Sequence, residues 1–149
     1  MLKLDLTTGY PRSVRDKVLG VYQLGRAFDK GIATANGTQG EYHYNCPMDK
    51  GVLGFLGIDA EKLMSEIKKA NSQNDLVAYA KPFVDKKSPA EITHFNEEFL
   101  KSAPATGSDG EKYFFEMRNQ VAPTRTDVTT WPDLLDLDEK RPVPERVLA

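Results

Sequence analysis

Three observations in the sequence predict an all-α fold. Apolar residues recur at three- and four-residue steps through most segments. Ser or Thr followed three positions later by an acid opens one segment after another. Alternation of apolar and polar residues, the mark of a strand, is almost confined to the first few positions. The expected architecture is one domain over residues 1–149, a helical bundle of about six or seven helices with one long N-terminal helix.

Residues 1–10 read as an extended arm that turns at Thr8-Gly9-Tyr10-Pro11. Ser13 and Asp16 form a capping-box pattern, and Val14, Val18, Val21, Tyr22, Gly25, Phe28, Ile32 and Ala35 then follow on one helical face. Gly37 supplies a left-handed stop. This predicts a first helix of roughly 23 residues, about 35 Å long, as the central beam. Glu41–Tyr44 is the one short segment allowed to be extended. Pro47 to Phe55 reads as a short helix closed by Gly57. Asp59 caps the next, whose stripe is Leu63, Met64, Ile67 and Ala70.

Ser72 with Asp75 opens a helix over Leu76, Val77, Ala80 and Phe83, which Pro82 is expected to bend or end. Ser88-Pro89-Ala90-Glu91 is the strongest start signal in the chain. It combines a cap, proline at the first helical position and an acid at the third. Ile92, Phe95, Phe99 and Leu100 form the inward face, and the helix runs out near Ala103-Pro104. A flexible loop covers 104–110. Ser108 with Glu111 starts a helix bearing Tyr113, Phe114, Met117 and Val121, stopped by Pro123. Thr130-Trp131-Pro132-Asp133 opens a last helix over Leu134, Leu135 and Leu137, with Trp131 as a lid on the core and Asp133, Asp136, Asp138 and Glu139 as an exposed acidic face. Arg141-Pro142-Val143-Pro144 leaves 141–149 as a tail.

Composition narrows the function classes. A hydrophobic share of 40% with 28% charged residues is that of a globular chain. A net charge of −2 with interspersed signs gives no basic face for nucleic acid. No run approaches the ~18 apolar residues of a membrane span, and the N-terminus lacks the apolar core of a signal peptide. One cysteine excludes an internal disulfide and fits a reducing cytoplasm. The expectation is a cytoplasmic protein with neither nucleic-acid nor membrane partners.

The chemistry-bearing residues gather in Gly40-Glu41-Tyr42-His43-Tyr44-Asn45-Cys46-Pro47-Met48-Asp49. Cys46 stands at a helix cap with proline next, where the helix dipole and unpaired N–H groups favour thiolate. His43, three residues earlier, is the candidate base or partner. Against this, Asp49 partly cancels the positive field, and single cysteines are commonly buried. The Cys-Pro-x-Cys redox pattern lacks its second cysteine, a phosphatase loop would need arginine where Val52 stands, and papain-like pairing has no support around His94. His43-x-x-Cys46 is half a zinc pattern and Glu91-x-x-His94 half a di-iron one, so no metal site is assigned. Tyr42, Tyr44 and Asn45 suit either a ligand pocket or a hydrogen-bonded corner. Arg12, Arg15, Arg26 and Lys30 could reach such a pocket, with Arg12 and Arg26 as anchors for an anionic group.

The ten-residue block resembles the signature of a family of small bacterial proteins known only as a domain of unknown function. The resemblance extends to Tyr10-Pro11-Arg12-Ser13, Arg26 with Asp29-Lys30, Gly57-Ile58-Asp59-Ala60, Ser88-Pro89 with Glu91-Ile92, and Thr129-Thr130-Trp131, and is weaker over 104–118. It implies a bacterial, cytoplasmic, helical protein. It carries no activity, substrate or cofactor.

Two readings follow. In the first, a small-molecule pocket or thiol site has Cys46 and His43 as catalytic residues and Tyr42, Tyr44, Asn45, Arg12 and Arg26 around a small anionic ligand. In the second, the stretch is a structural corner in a non-catalytic interaction or regulatory domain, and the partner is a protein.

Overall fold

A computed structural model describes residues 1–147, and the last two positions of the expected tail lie outside the described residues. The order is α1 (Leu24–Asn36), α2 (Pro47–Leu56), α3 (Ala60–Lys69), α4 (Gln73–Asp85), α5 (Pro89–Leu100), α6 (Asp109–Val121) and α7 (Trp131–Asp138). Among the described residues the only β pairing is an isolated bridge between Val18 and Val21. The fold is all-α. By its contacts the chain divides into two compact units, Met1–Asn96 and Glu97–Ala149.

In the first unit, α1 is the central element, buried at every position from Leu24 to Ala33. Leu24, Phe28 and Ile32 meet Val52, Leu53 and Leu56 of α2, Leu63 and Ile67 of α3, and Leu76, Ala80 and Val84 of α4 in one core. Gly31 lets α1 and α3 approach closely: a Cβ there would stand 2.5 Å from Ile67 Cδ1 and 3.1 Å from the Tyr44 ring. Sequence-predicted ends hold at Gly37 and Gly57, both left-handed, and at Asp59, whose carboxylate accepts from Lys62 N. Reciprocal capping boxes join Ser72 to Asp75 and Ser88 to Glu91.

Two expectations about helices are corrected. The long N-terminal helix is not formed, because α1 starts at Leu24 and is 13 residues long. Val14, Val18 and Val21 are buried as the periodicity required, but in a turn-rich segment. Leu19 (φ 53°) and Gly20 (φ 78°) both take left-handed conformations, the geometry of a two-residue primed hairpin turn. Val18 and Val21 exchange both backbone hydrogen bonds across it. Asn96 of α5 then clamps the turn, accepting from Tyr22 N and donating to Gly20 O. At Pro82, where a bend or an end was expected, the helix does not end: α4 continues to Asp85. Pro82 and Ala78, one turn earlier, are both exposed, so water can serve the carbonyl that the missing N–H leaves unpaired.

The N-terminal arm is bound to the end of α1. Asn36 and Thr38 hydrogen-bond the backbone of Leu2 and Leu4, and Leu6 N donates to Thr38 O.

The second unit packs Phe114 of α6 against Val128 and Leu134, with Trp131 meeting the Phe114 ring edge-on at 5.0 Å. The acidic face expected on α7 is instead largely buried: Asp133, Asp136 and Glu139 are each at most 5% exposed. Arg146 grips Asp133 with two hydrogen bonds of 2.9 Å, and Arg141 lies against Glu139 and Asp136. Basic residues of the tail thus cancel the charge that would otherwise keep these acids in water.

Candidate functional site

The stretch Gly40–Asp49 leaves α1 and enters α2, and its centre is an ion pair. Asp49, at the third position of α2, has a fully buried side chain. Its Oδ2 lies 2.8 Å from Lys30 Nζ of α1, whose side chain is 5% exposed. Oδ2 also accepts from Asn45 N at 3.0 Å, while Oδ1 accepts from Gln23 Nε2 at 2.8 Å. Lys30 Nζ in turn donates to Cys46 Sγ at 3.1 Å. The result is a chain of contacts, Gln23–Asp49–Lys30–Cys46, joining the start and middle of α1 to the start of α2.

Gln23 and Asn45, both hydrogen-bonded to Asp49, sit on unusual backbone. Gln23, directly before α1, has φ 70°, and Asn45 has φ 61°. Asparagine tolerates that region, whereas for glutamine it is a local cost that surrounding contacts must offset. Gln23 is 1% exposed, and its Oε1 is buried without a hydrogen-bond partner.

Cys46 caps α2 in an extended conformation with Pro47 next, as expected, and is partly exposed. His43 is exposed and makes no hydrogen bond to Cys46 among the described residues, and Lys30 occupies the partner position. Tyr44 Oη donates to Ala60 O at 2.7 Å. Burial first, then the charge of Asp49, pushes the Tyr44 phenol above its ordinary pKa. Tyr42 stacks on the Arg26 guanidinium at 5.6 Å. Tyr44 and Asn45 form part of the wall of an open cleft of about 400 Å³, together with Glu61, Ser65 and Lys68.

The two arginines are tied into contacts of their own, Arg26 one helical turn before Lys30 on α1 and Arg12 in the segment before it. Arg12 makes a two-pronged pair with Asp29, both contacts 3.0 Å, and reaches Gln73 at 3.1 Å. Its guanidinium packs over Gly25. Arg26 is buried and donates to Arg12 O at 3.1 Å. Asp29 therefore neutralises Arg12. No group of three His, Cys, Asp or Glu residues among those described is placed to hold a metal ion. No helix of the described residues is long and apolar enough to cross a membrane.

Sequence reasoning named Lys30 only as one of four cations near the site, read Asp49 as a weakening charge, and did not single out Gln23. Lys30 is two positions from both Phe28 and Ile32, off their apolar stripe, so periodicity places it in solvent; it is buried because α1 is covered at every position from Leu24 to Ala33. A charge so placed needs a buried partner.

No curated protein matches this sequence. The family described as Domain of unknown function (DUF5069) matches residues 8–141, nearly the whole chain, and the protein belongs to that family.

Proposed function

We propose that the protein acts through Cys46 as a reactive thiol, with Lys30 in place of His43 as its charged partner. The carrying observation is the 3.1 Å contact between a buried ammonium and the sulfur of a partly exposed cysteine. A lysine beside a cysteine at a helix N-terminus is a setting in which thiols become nucleophilic. Asp49 holds Lys30 in place, and Gln23 holds Asp49. The cleft beside Asn45 would receive a small electrophilic ligand. A bacterial cytoplasm is part of the proposal; the single unpaired cysteine supports its reducing character.

A second reading rests on different contacts. Tyr44 Oη to Ala60 O and Asn45 N to Asp49 make the same stretch a joint between α2 and α3, as a non-catalytic interaction domain would need.

Alkylation of Cys46 by iodoacetamide separates the two. The thiol reading expects native Cys46 to react at neutral pH at least about as fast as a free cysteine. It also expects Lys30→Met to slow the reaction. Protection of Cys46 until the protein unfolds would overturn the thiol reading in favour of the structural one.

A further inference from the structure

Resting on the reactive-thiol reading, we propose that a hydroperoxide converts Cys46 and Lys30 into a covalent sulfur–nitrogen crosslink, tying the start of α2 to α1. Cys46 is the only cysteine, so no second thiol of the chain can resolve its oxidised form. The group at its sulfur is the Lys30 nitrogen, 3.1 Å away and held by a buried carboxylate 2.8 Å from the same nitrogen. The amine therefore stands where a resolving thiol stands in other redox sites.

The chemistry needs one oxidant. The Cys46 sulfur attacks one hydroperoxide oxygen; the S–O bond forms as the O–O bond breaks. The thiol proton leaves with the departing oxygen, as water when the oxidant is hydrogen peroxide. Sulfur is oxidised to the sulfenic acid and the peroxide is reduced. Lys30 then passes one proton to Asp49, and the Nζ lone pair attacks sulfur. The S–N bond forms, the S–O bond breaks, and the departing hydroxide takes a second Nζ proton and leaves as water. An ammonium and a carboxylate have become a neutral crosslink and a neutral acid, with no charge left buried.

Gln23 provides an independent indication. Its Nε2 donates to Asp49, while its Oε1 is buried with no donor, on a residue 1% exposed. Such an acceptor calls for a hydrogen-bond donor. The carboxyl O–H of protonated Asp49 is one once the amide rotates. One amide thus matches Asp49 in both of its protonation states.

The test treats the full chain with hydrogen peroxide, then reads intact mass and a non-reducing peptide map. The expected product has lost two hydrogens, links the Lys30 and Cys46 peptides, resists alkylation and reverts with dithiothreitol. Lys30→Arg keeps a cation but replaces the compact amine, and is expected to stop at oxygen adducts of Cys46. Wild-type protein that gives only oxygen adducts, or only dimers joined through Cys46, would overturn the inference. Alkylation of the untreated protein separates the two levels. Reactive Cys46 without a crosslink overturns the crosslink alone; inert Cys46 that also resists peroxide overturns the thiol reading with it.

Discussion

Lys30 Nζ meets Asp49 Oδ2 at 2.8 Å with 5% and 0% of their side chains exposed. Two charges withdrawn this far from water depend on one another, since removing either leaves the other buried without its counter-charge. Asp49→Ala is therefore expected to destabilise the protein by about 3–5 kcal/mol in urea unfolding. Lys30→Met/Asp49→Leu should recover most of that loss, because an apolar pair leaves no charge behind. Equal losses in the single and double variants would refute the pairing.

Gly31 is the point of close approach between α1 and the Tyr44–Ile67 layer. Gly31→Val would place its Cβ 2.5 Å from Ile67 Cδ1, and a branched side chain has nowhere to turn. The expected cost is about 1–3 kcal/mol from overpacking, read as a lower urea midpoint at unchanged slope. A midpoint equal to wild type would show that this layer yields freely.

Tyr44 should make stability fall in alkali. Its folded-state pKa is raised, by burial first and the Asp49 charge second, so the unfolded chain releases this proton more readily. The contribution is whole below the unfolded value of about 10 and is lost as pH rises through the folded value. Tyr44→Phe should cost about 0.5–1.5 kcal/mol at neutral pH through the lost bond to Ala60. Above about pH 10 the gap between wild type and variant should narrow. A constant gap at all pH values would contradict the burial of the phenol.

Asp127 gives the opposite dependence in the second unit. The Arg125 guanidinium, then the Arg146 backbone N–H, holds its carboxyl well below the usual carboxylate range. The contribution is whole above the unfolded value of about 4 and is lost as pH falls toward the folded one. Wild type should thus lose stability on acidification through this window more steeply than Asp127→Asn. Identical acid profiles would show that the tail is not held through Asp127.

Local signals in the sequence determined where most helices begin and end. Ser72 with Asp75, Ser88 with Glu91, Asp59, Gly37 and Gly57 act within a few residues of themselves, and each appears in the structure in its predicted role. The sequence also marked Cys46 as a helix cap. Tertiary structure decided what periodicity leaves open. Val14, Val18 and Val21 fit a helical face and a buried turn equally well, and Leu19-Gly20, clamped by Asn96 from 76 residues away, selected the turn. It also gave the thiol its partner. His43 is near Cys46 in sequence but turns to solvent, whereas Lys30, 16 residues distant, reaches it because α1 is buried on all sides and Asp49 supplies the counter-charge. Caps depend on neighbouring backbone and are written locally. Charge pairing in a core depends on which faces meet, and only the packed chain specifies that.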